Sequence, residues 1–181
     1  LRTGRPHLAR LATKAVRAAQ KLTILDHQIH LHEGMAASGL ARAYDVFHPF
    51  LTPDDRKTWR AFLLRFLDLY EETARAASWT VTTIANANAI GNSGCGLIAL
   101  ALLEEEPELA SRTLQWVREY LWNWLDHAHG PNGGNTEGAQ YWAYAMDHFL
   151  LFAQAQERIT GSDDGMLSHP AVRNAMNMVR N

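Results

Sequence analysis

Thr52-Pro53-Asp54-Asp55, followed at helical spacing by Trp59, Phe62, Leu63, Phe66, Tyr70, Ala74 and Ala77, is the stretch on which the fold turns. Thr52 is suited to cap a helix with its hydroxyl. Pro53 costs nothing at a first helical position, where the N–H has no partner anyway, and Asp55 stands in the capping-box place. The apolar residues recur every three or four positions over six turns, the signature of one buried helix face.

The same period extends outward in both directions. Leu8, Leu11, Ala15, Ala18, Ala19 and Leu22 form a stripe, and Leu40, Ala43, Tyr44 and Phe47 form another that ends near His48-Pro49. Residues 97–103 are apolar on every side and predict a helix buried all round. Glu104-Glu105-Glu106-Pro107 opens the next helix, with Leu109, Thr113, Trp116 or Val117, Tyr120 and Trp124 inward. Asn132-Gly133-Gly134-Asn135 ends it, and a helix over 137–159 follows. The loop Gly161-Ser162-Asp163-Asp164-Gly165 leads to a short helix after Pro170. No segment alternates with period two, so no sheet is expected. The sequence predicts one all-α domain over 1–181, built from antiparallel helical hairpins joined by short loops.

Composition narrows the function. The chain has 181 residues, 47% of them hydrophobic, and a net charge of -2, without the basic field that nucleic-acid binding requires. The longest apolar run, residues 95–103, is too short to cross a bilayer. Cys95 is the single cysteine, so no internal disulfide forms. A start at Leu1, with no charged-then-apolar leader, suggests a processed product or a piece of a longer chain.

Two stretches carry chemistry. In Gly133-Gly134-Asn135-Thr136-Glu137-Gly138-Ala139-Gln140-Tyr141-Trp142-Ala143-Tyr144, a glycine-rich loop opens a helix whose first turns hold one carboxylate and three large aromatics. On a helix Glu137 and Tyr141 share a face. An acid, a phenol and an indole at a helix mouth suit a sugar-binding or sugar-cleaving wall. Equally, Tyr141, Trp142 and Tyr144 suit core packing, with Glu137 complementing the helix dipole. In Ala85-Asn86-Ala87-Asn88-Ala89-Ile90-Gly91-Asn92-Ser93-Gly94-Cys95-Gly96, three asparagines and three glycines predict a loop and N-cap before the buried helix. The alternative is a row of neutral amide donors facing a cavity, able to bind a carboxylate without a competing charge.

The order and separation of these pieces over residues 78–165 resemble the helical toroid domain of heparinase II/III-like polysaccharide lyases and oligoalginate lyases. The Asn86, Asn88, Asn92, Ser93, Gly94 pattern, the small-and-apolar residues 96–103, and Glu137-Gly138-Ala139-Gln140-Tyr141-Trp142-Ala143-Tyr144 carry the resemblance. The hairpin Gly39-Leu40-Ala41-Arg42-Ala43-Tyr44-Asp45 then Phe50-Leu51-Thr52 extends it upstream. It implies an incomplete (α/α) toroid, followed in the parent chain by a β-sandwich domain. It also implies β-elimination at a uronic acid in an anionic polysaccharide or oligosaccharide, with no cofactor and a periplasmic or secreted location. Asn86 and Asn88 would neutralise the uronate carboxylate, and Tyr141 would protonate the leaving oxygen, with Tyr144 as the fallback. Asn92, Glu137, Trp142, Tyr144 and His129 would contact substrate. The chain departs from the family at Ala87, where many members carry a histidine.

Two other readings stay open. A noncatalytic carbohydrate-binding or scaffold module would keep the fold without the chemistry. A toroidal glycoside hydrolase would need a carboxylate opposite Glu137, for which Asp126 and Asp147 are available. His27, His30, His32 and Glu33 are crowded, but the stretch reads as helix or turn and three ligands would have to converge, so no metal site is assigned. His127, His129 and His148 flank the expected cleft, with His148 read as a hydrogen-bonded core histidine.

Overall fold

The computed structural model describes residues 5–21, 29–130 and 133–175. The elements are α1 (Arg5–Ala19), α2 (Leu31–Phe47), α3 (Pro53–Arg75), α4 (Trp79–Thr82), α5 (Asn86–Ala101), α6 (Pro107–His127), α7 (Ala139–Thr160) and α8 (Pro170–Arg173). Short 3-10 turns occupy His48–Phe50 and Met166–Ser168. Among the described residues there is no strand, only an isolated bridge between His129 and Asn135. The fold is all-α.

The expected start of α3 is built as its sequence dictates. The Thr52 hydroxyl accepts from the Asp55 amide at 3.2 Å and donates to the Asp55 carboxylate at 2.8 Å. Trp59, Phe62, Leu63, Phe66, Tyr70 and Ala74 are buried, and Ala77 falls beyond the helix with φ at 48°. In α6, Val117 rather than Trp116 is the inward member of the ambiguous pair.

The largest departure is α5. Residues 86–94 are helix, not loop, and all of residues 86–100 are buried. Its glycines serve close packing. A Cβ on Gly94 would lie 2.1 Å from the Gly34 carbonyl oxygen, and one on Gly34 would lie 2.7 Å from that of Ile90. Backbones of α2 and α5 therefore meet with no side chain between them. Gly96 makes room for the Phe152 ring in the same way.

A second departure is α1. Its buried face is Ala9, Thr13 and Val16, while Leu8 and Leu11 of the expected stripe are 51% and 47% exposed. The Trp59 indole N–H donates to the Thr13 hydroxyl at 3.0 Å, which turns the small-residue face of α1 toward α3. Leu22 lies outside the described residues.

Pairwise contacts set the helix directions. Gly34 meets Ile90 and Tyr44 bonds Glu105 at 2.6 Å, so α2 runs parallel to α5. Asn86 meets Glu137 and Gly96 meets Phe152, so α7 does too. The Tyr70 hydroxyl donates to Asn92, and Arg60 bonds Glu106 just past α5, so α3 is antiparallel to it. Asn88 bonds the Tyr120 carbonyl while Gly96 abuts Val117, which makes α6 antiparallel as well. Successive long helices from α2 onward alternate in direction around α5. One end of the domain thus gathers the N-termini of α2, α5 and α7.

Candidate functional site

Three helix N-termini pointing the same way collect their positive dipole ends in one place. Each is capped differently. At α2, the His30 Nδ1 accepts from the Leu31 amide at 2.8 Å and Glu33 accepts from the His30 amide at 3.1 Å, a capping box. This employs two residues of the histidine cluster; His27 lies outside the described residues. At α5, Ala85 supplies no side-chain cap. The Glu137 carboxylate takes the role from another element, accepting from the Asn86 amide at 2.5 Å. Glu137 does complement a helix dipole, but that of α5 rather than of the helix it precedes.

Glu137 reaches Asn86 because the chain before α7 is a turn. The Glu137 amide donates to the Asn135 side-chain oxygen at 3.0 Å. Gly138 is the N-cap of α7 at φ 86° and ψ 172°, and its carbonyl accepts from the Trp142 amide at 3.0 Å. The expected helix from Glu137 is thereby corrected. Glu137 and Tyr141 do not stack on one helical face, since the helix begins at Ala139.

The aromatics divide by the 100° step of the helix. Tyr141 is 53% exposed at the mouth, whereas Trp142 is only 7% exposed and belongs to the core. Trp142 therefore presents no open ring to a sugar. Its indole N–H has no hydrogen-bond partner among the described residues. Tyr144 is half-buried, with its hydroxyl on the Met35 sulfur and its ring edge-on to His148, centroids 5.4 Å apart. His148 lies 3.4 Å from the Ser38 hydroxyl, and burial lowers its pKa below the usual histidine range. Burial lowers His129 likewise. His129 holds the turn: its Nδ1 is 3.2 Å from the Leu125 carbonyl, its Nε2 is 3.4 Å from the Asn135 amide, and its ring stands edge-on to Trp124 at 4.6 Å.

The three asparagines have different fates. Asn92 is fully buried, its amide donating to the Val81 and Asn88 carbonyls at 3.1 and 2.8 Å and to the Asn88 side-chain oxygen at 2.9 Å. Asn88 is fully buried too, donating to the Thr83 and Tyr120 carbonyls at 2.6 and 3.2 Å. Buried amides must find partners, and these bolt α4 and α6 to α5. The row of donors expected from Asn88 and Asn92 is spent inside the protein. Asn86 differs. It is buried, yet its side-chain Nδ2 has no partner among the described residues. Asn86 and Tyr141 are thus brought to the same end of the fold, while Asn88 and Asn92 lie behind them in the core.

Spacing gave no warning of Trp79, 54% exposed and edge-on to His30 at 5.1 Å. Its polar neighbours Ser78 and Thr80 are themselves buried, so no local polarity marked it. With Met35 and Ile84 it adds to the exposed apolar surface around the helix mouths. Asp126 is paired with His169 at 3.1 Å, and Asp147 is exposed on α7. Among the described residues no helix is long and apolar enough to cross a membrane. No protein-family model matches the chain, and no curated protein matches its sequence.

Proposed function

We propose that this chain is the helical domain, an incomplete toroid, of a lyase that cleaves a uronic-acid-containing polysaccharide by β-elimination. The reading is supported by Tyr141, exposed in the first turn of α7, and Asn86, whose side-chain Nδ2 is buried with no partner among the described residues, lying at the same end of the fold on elements that Glu137 ties together. The sugar carboxylate sits toward the N-terminus of α7, which among the described residues, unlike those of α2 and α5, has no carboxylate on it and whose dipole favours an anion. Asn86 Nδ2, buried in this structure, donates to it once the turn holding Glu137 moves aside, which spreads the charge that develops when the C5 proton leaves. The C5 electron pair forms the new C4–C5 double bond, the C4–O bond breaks, and Tyr141 gives its proton to the departing oxygen. Asn88 and Asn92 hold α5 in place behind Asn86, and Tyr144 and Trp79 border the sugar path. A histidine or tyrosine from a following β-sandwich domain in the parent chain is the base that takes the C5 proton, and the protein works in the periplasm or outside the cell.

The burial of Asn88 and Asn92 favours one second reading, a carbohydrate-binding module without catalysis. One experiment separates the two. Alginate, heparan sulfate, hyaluronan and glucuronan are incubated with the full-length parent protein and the ultraviolet absorbance of the conjugated double bond is followed. A lyase produces that absorbance, and Tyr141→Phe lowers turnover by about 10²–10⁴-fold, the usual weight of a positioned acid–base group. Full turnover in Tyr141→Phe removes Tyr141 from the mechanism. Binding without any new absorbance supports the module.

A further inference from the structure

The Tyr141 end leaves the opposite end of the domain unexplained. An open cleft of about 740 Å³ lies between the second half of α1 and the first turns of α3, within the roughly 300–1,000 Å³ usual for ligand sites. Lys14, Arg17, Lys21 and Lys57 line it, with Asp54 and Thr58. Arg17 is neutralised by Asp55 at 3.0 Å. Lys14, Lys21 and Lys57 make no ion pair among the described residues. Three ammonium groups therefore face one carboxylate, that of Asp54, which makes no ion pair among the described residues, in a chain whose net charge is -2.

The walls are fixed to one another. Gln20 donates to the Thr58 carbonyl at 3.1 Å, and Arg65 donates to the Gln20 carbonyl at 3.1 Å. Helix α1 contributes Arg5, Arg10, Lys14 and Arg17 and no carboxylate, so nothing on it competes with an anion. Among the described residues the lining holds no aromatic ring on which a base would stack and only Ala18 as an apolar side chain. Nucleic acid relies on stacking platforms, and a lipid tail needs an apolar wall. The Thr58 hydroxyl and the Gln20 amide donate to the Asp54 and Thr58 carbonyls, so the ammonium groups are the donors left to a ligand, and they suit a carboxylated or sulfated sugar.

We propose that this cleft is a holding site for an anionic polysaccharide chain, separate from the Tyr141 end. Preference for a sugar among polyanions rests on the function proposed above; the attraction for anions does not. Along α3, at 1.5 Å per residue, the two ends stand on the order of 25 Å apart, a span suited to a linear polymer rather than to a single monosaccharide.

The test is titration calorimetry of the whole chain with alginate and heparin oligosaccharides at about 50 mM and about 300 mM salt, across which exposed charges become screened. The triple variant Lys14→Gln, Lys21→Gln, Lys57→Gln is compared with Arg42→Gln, Arg158→Gln, Arg173→Gln, which removes equal charge from exposed positions elsewhere. Single surface pairs are weak, so the cations act together. The cleft triple weakens binding by about tenfold or more and flattens its salt dependence, while the control stays within about twofold. Equal loss in both triples, or unchanged binding in the cleft triple, overturns the site. Tighter binding of single-stranded DNA or of phosphatidylserine vesicles than of either sugar overturns the choice of ligand. Cleft-dependent sugar binding, with no double-bond formation by the full-length parent protein, leaves this site standing and sinks the lyase function instead.

Discussion

Two glycine-rich stretches of this chain look alike in sequence and do opposite things. In α5, Gly91, Gly94 and Gly96 sit in regular helix, where the missing Cβ lets α2 and α7 press against the backbone. Before α7, Gly133 and Gly138 adopt φ of 85° and 86° and make a turn. The first group answers a steric demand from a neighbouring helix and the second a torsional demand within the chain itself. Gly133 meets both, since a Cβ there would also lie 2.4 Å from the Asn174 carbonyl oxygen. Glu137 joins the two regions by capping the start of one from the turn of the other.

The contrast is broken most forcefully at Gly94. Gly94→Ala places a methyl 2.1 Å from a carbonyl that cannot rotate away. The substitution is expected to cost about 3 kcal/mol or more, outweighing the roughly 1 kcal/mol that alanine gains in helix propensity. Urea denaturation measures it, and a neutral result would remove close packing as the reason for glycine in α5.

Next comes a pair of turn positions. Gly138 has φ 86° and ψ 172°, a region nearly closed to side chains, whereas Gly161, at φ 82° and ψ 3°, is left-handed helical. Neither has a heavy atom within 4 Å of a built Cβ, so only torsion is at stake. Gly138→Asn is expected to cost about 2 kcal/mol and Gly161→Asn less than about 1 kcal/mol, because asparagine tolerates the left-handed helical region. Equal thermal shifts for the two would show that the torsional distinction is not what matters.

Smaller and opposite in sign is Gly39→Ala. Gly39 is exposed in α2 with nothing within 4 Å and no positive φ, so it serves neither demand. Alanine is expected to stabilise the protein by about 0.8 kcal/mol through helix propensity. A loss of stability would reveal a contact that the packing of α2 does not include. Last, Glu137→Gln keeps an acceptor on the Asn86 amide but removes the charge at the α5 terminus. The expected cost is about 0.5 kcal/mol, shrinking as salt is raised; a salt-independent loss would point to shape rather than charge.

How much was legible beforehand varied with the source of the signal. Helix α3 was readable because its cap and its apolar stripe lie within one stretch and need no partner to be recognised. The all-α class followed from the same local period. Helix α5 was misread at its start because asparagine and glycine favour loops when nothing else constrains them. Here Tyr70, Val81 and Tyr120 accept or supply the hydrogen bonds that hold the asparagines in helix. The face of α1 was misread for a related reason, since Trp59 selected Thr13 over the leucines. At the candidate site, the core-packing alternative was right for Trp142 and wrong for Tyr141, while the burial of Asn88 and Asn92 and the backbone bond from Asn86 to Glu137 were not foreseen.

Sequence alone determined that the chain is helical, where α3 and α6 begin, and which residues carry polar chemistry, because caps, prolines and apolar periods act within a few residues. Only the tertiary structure decided that α5 is the buried hub, that Glu137 caps a helix 51 residues away in sequence, and that Tyr141 rather than Trp142 faces solvent. Those outcomes depend on which backbone comes close enough to exclude a Cβ or accept a proton. Such a distance is set by the packing of all the helices together and is written in no single stretch of the chain.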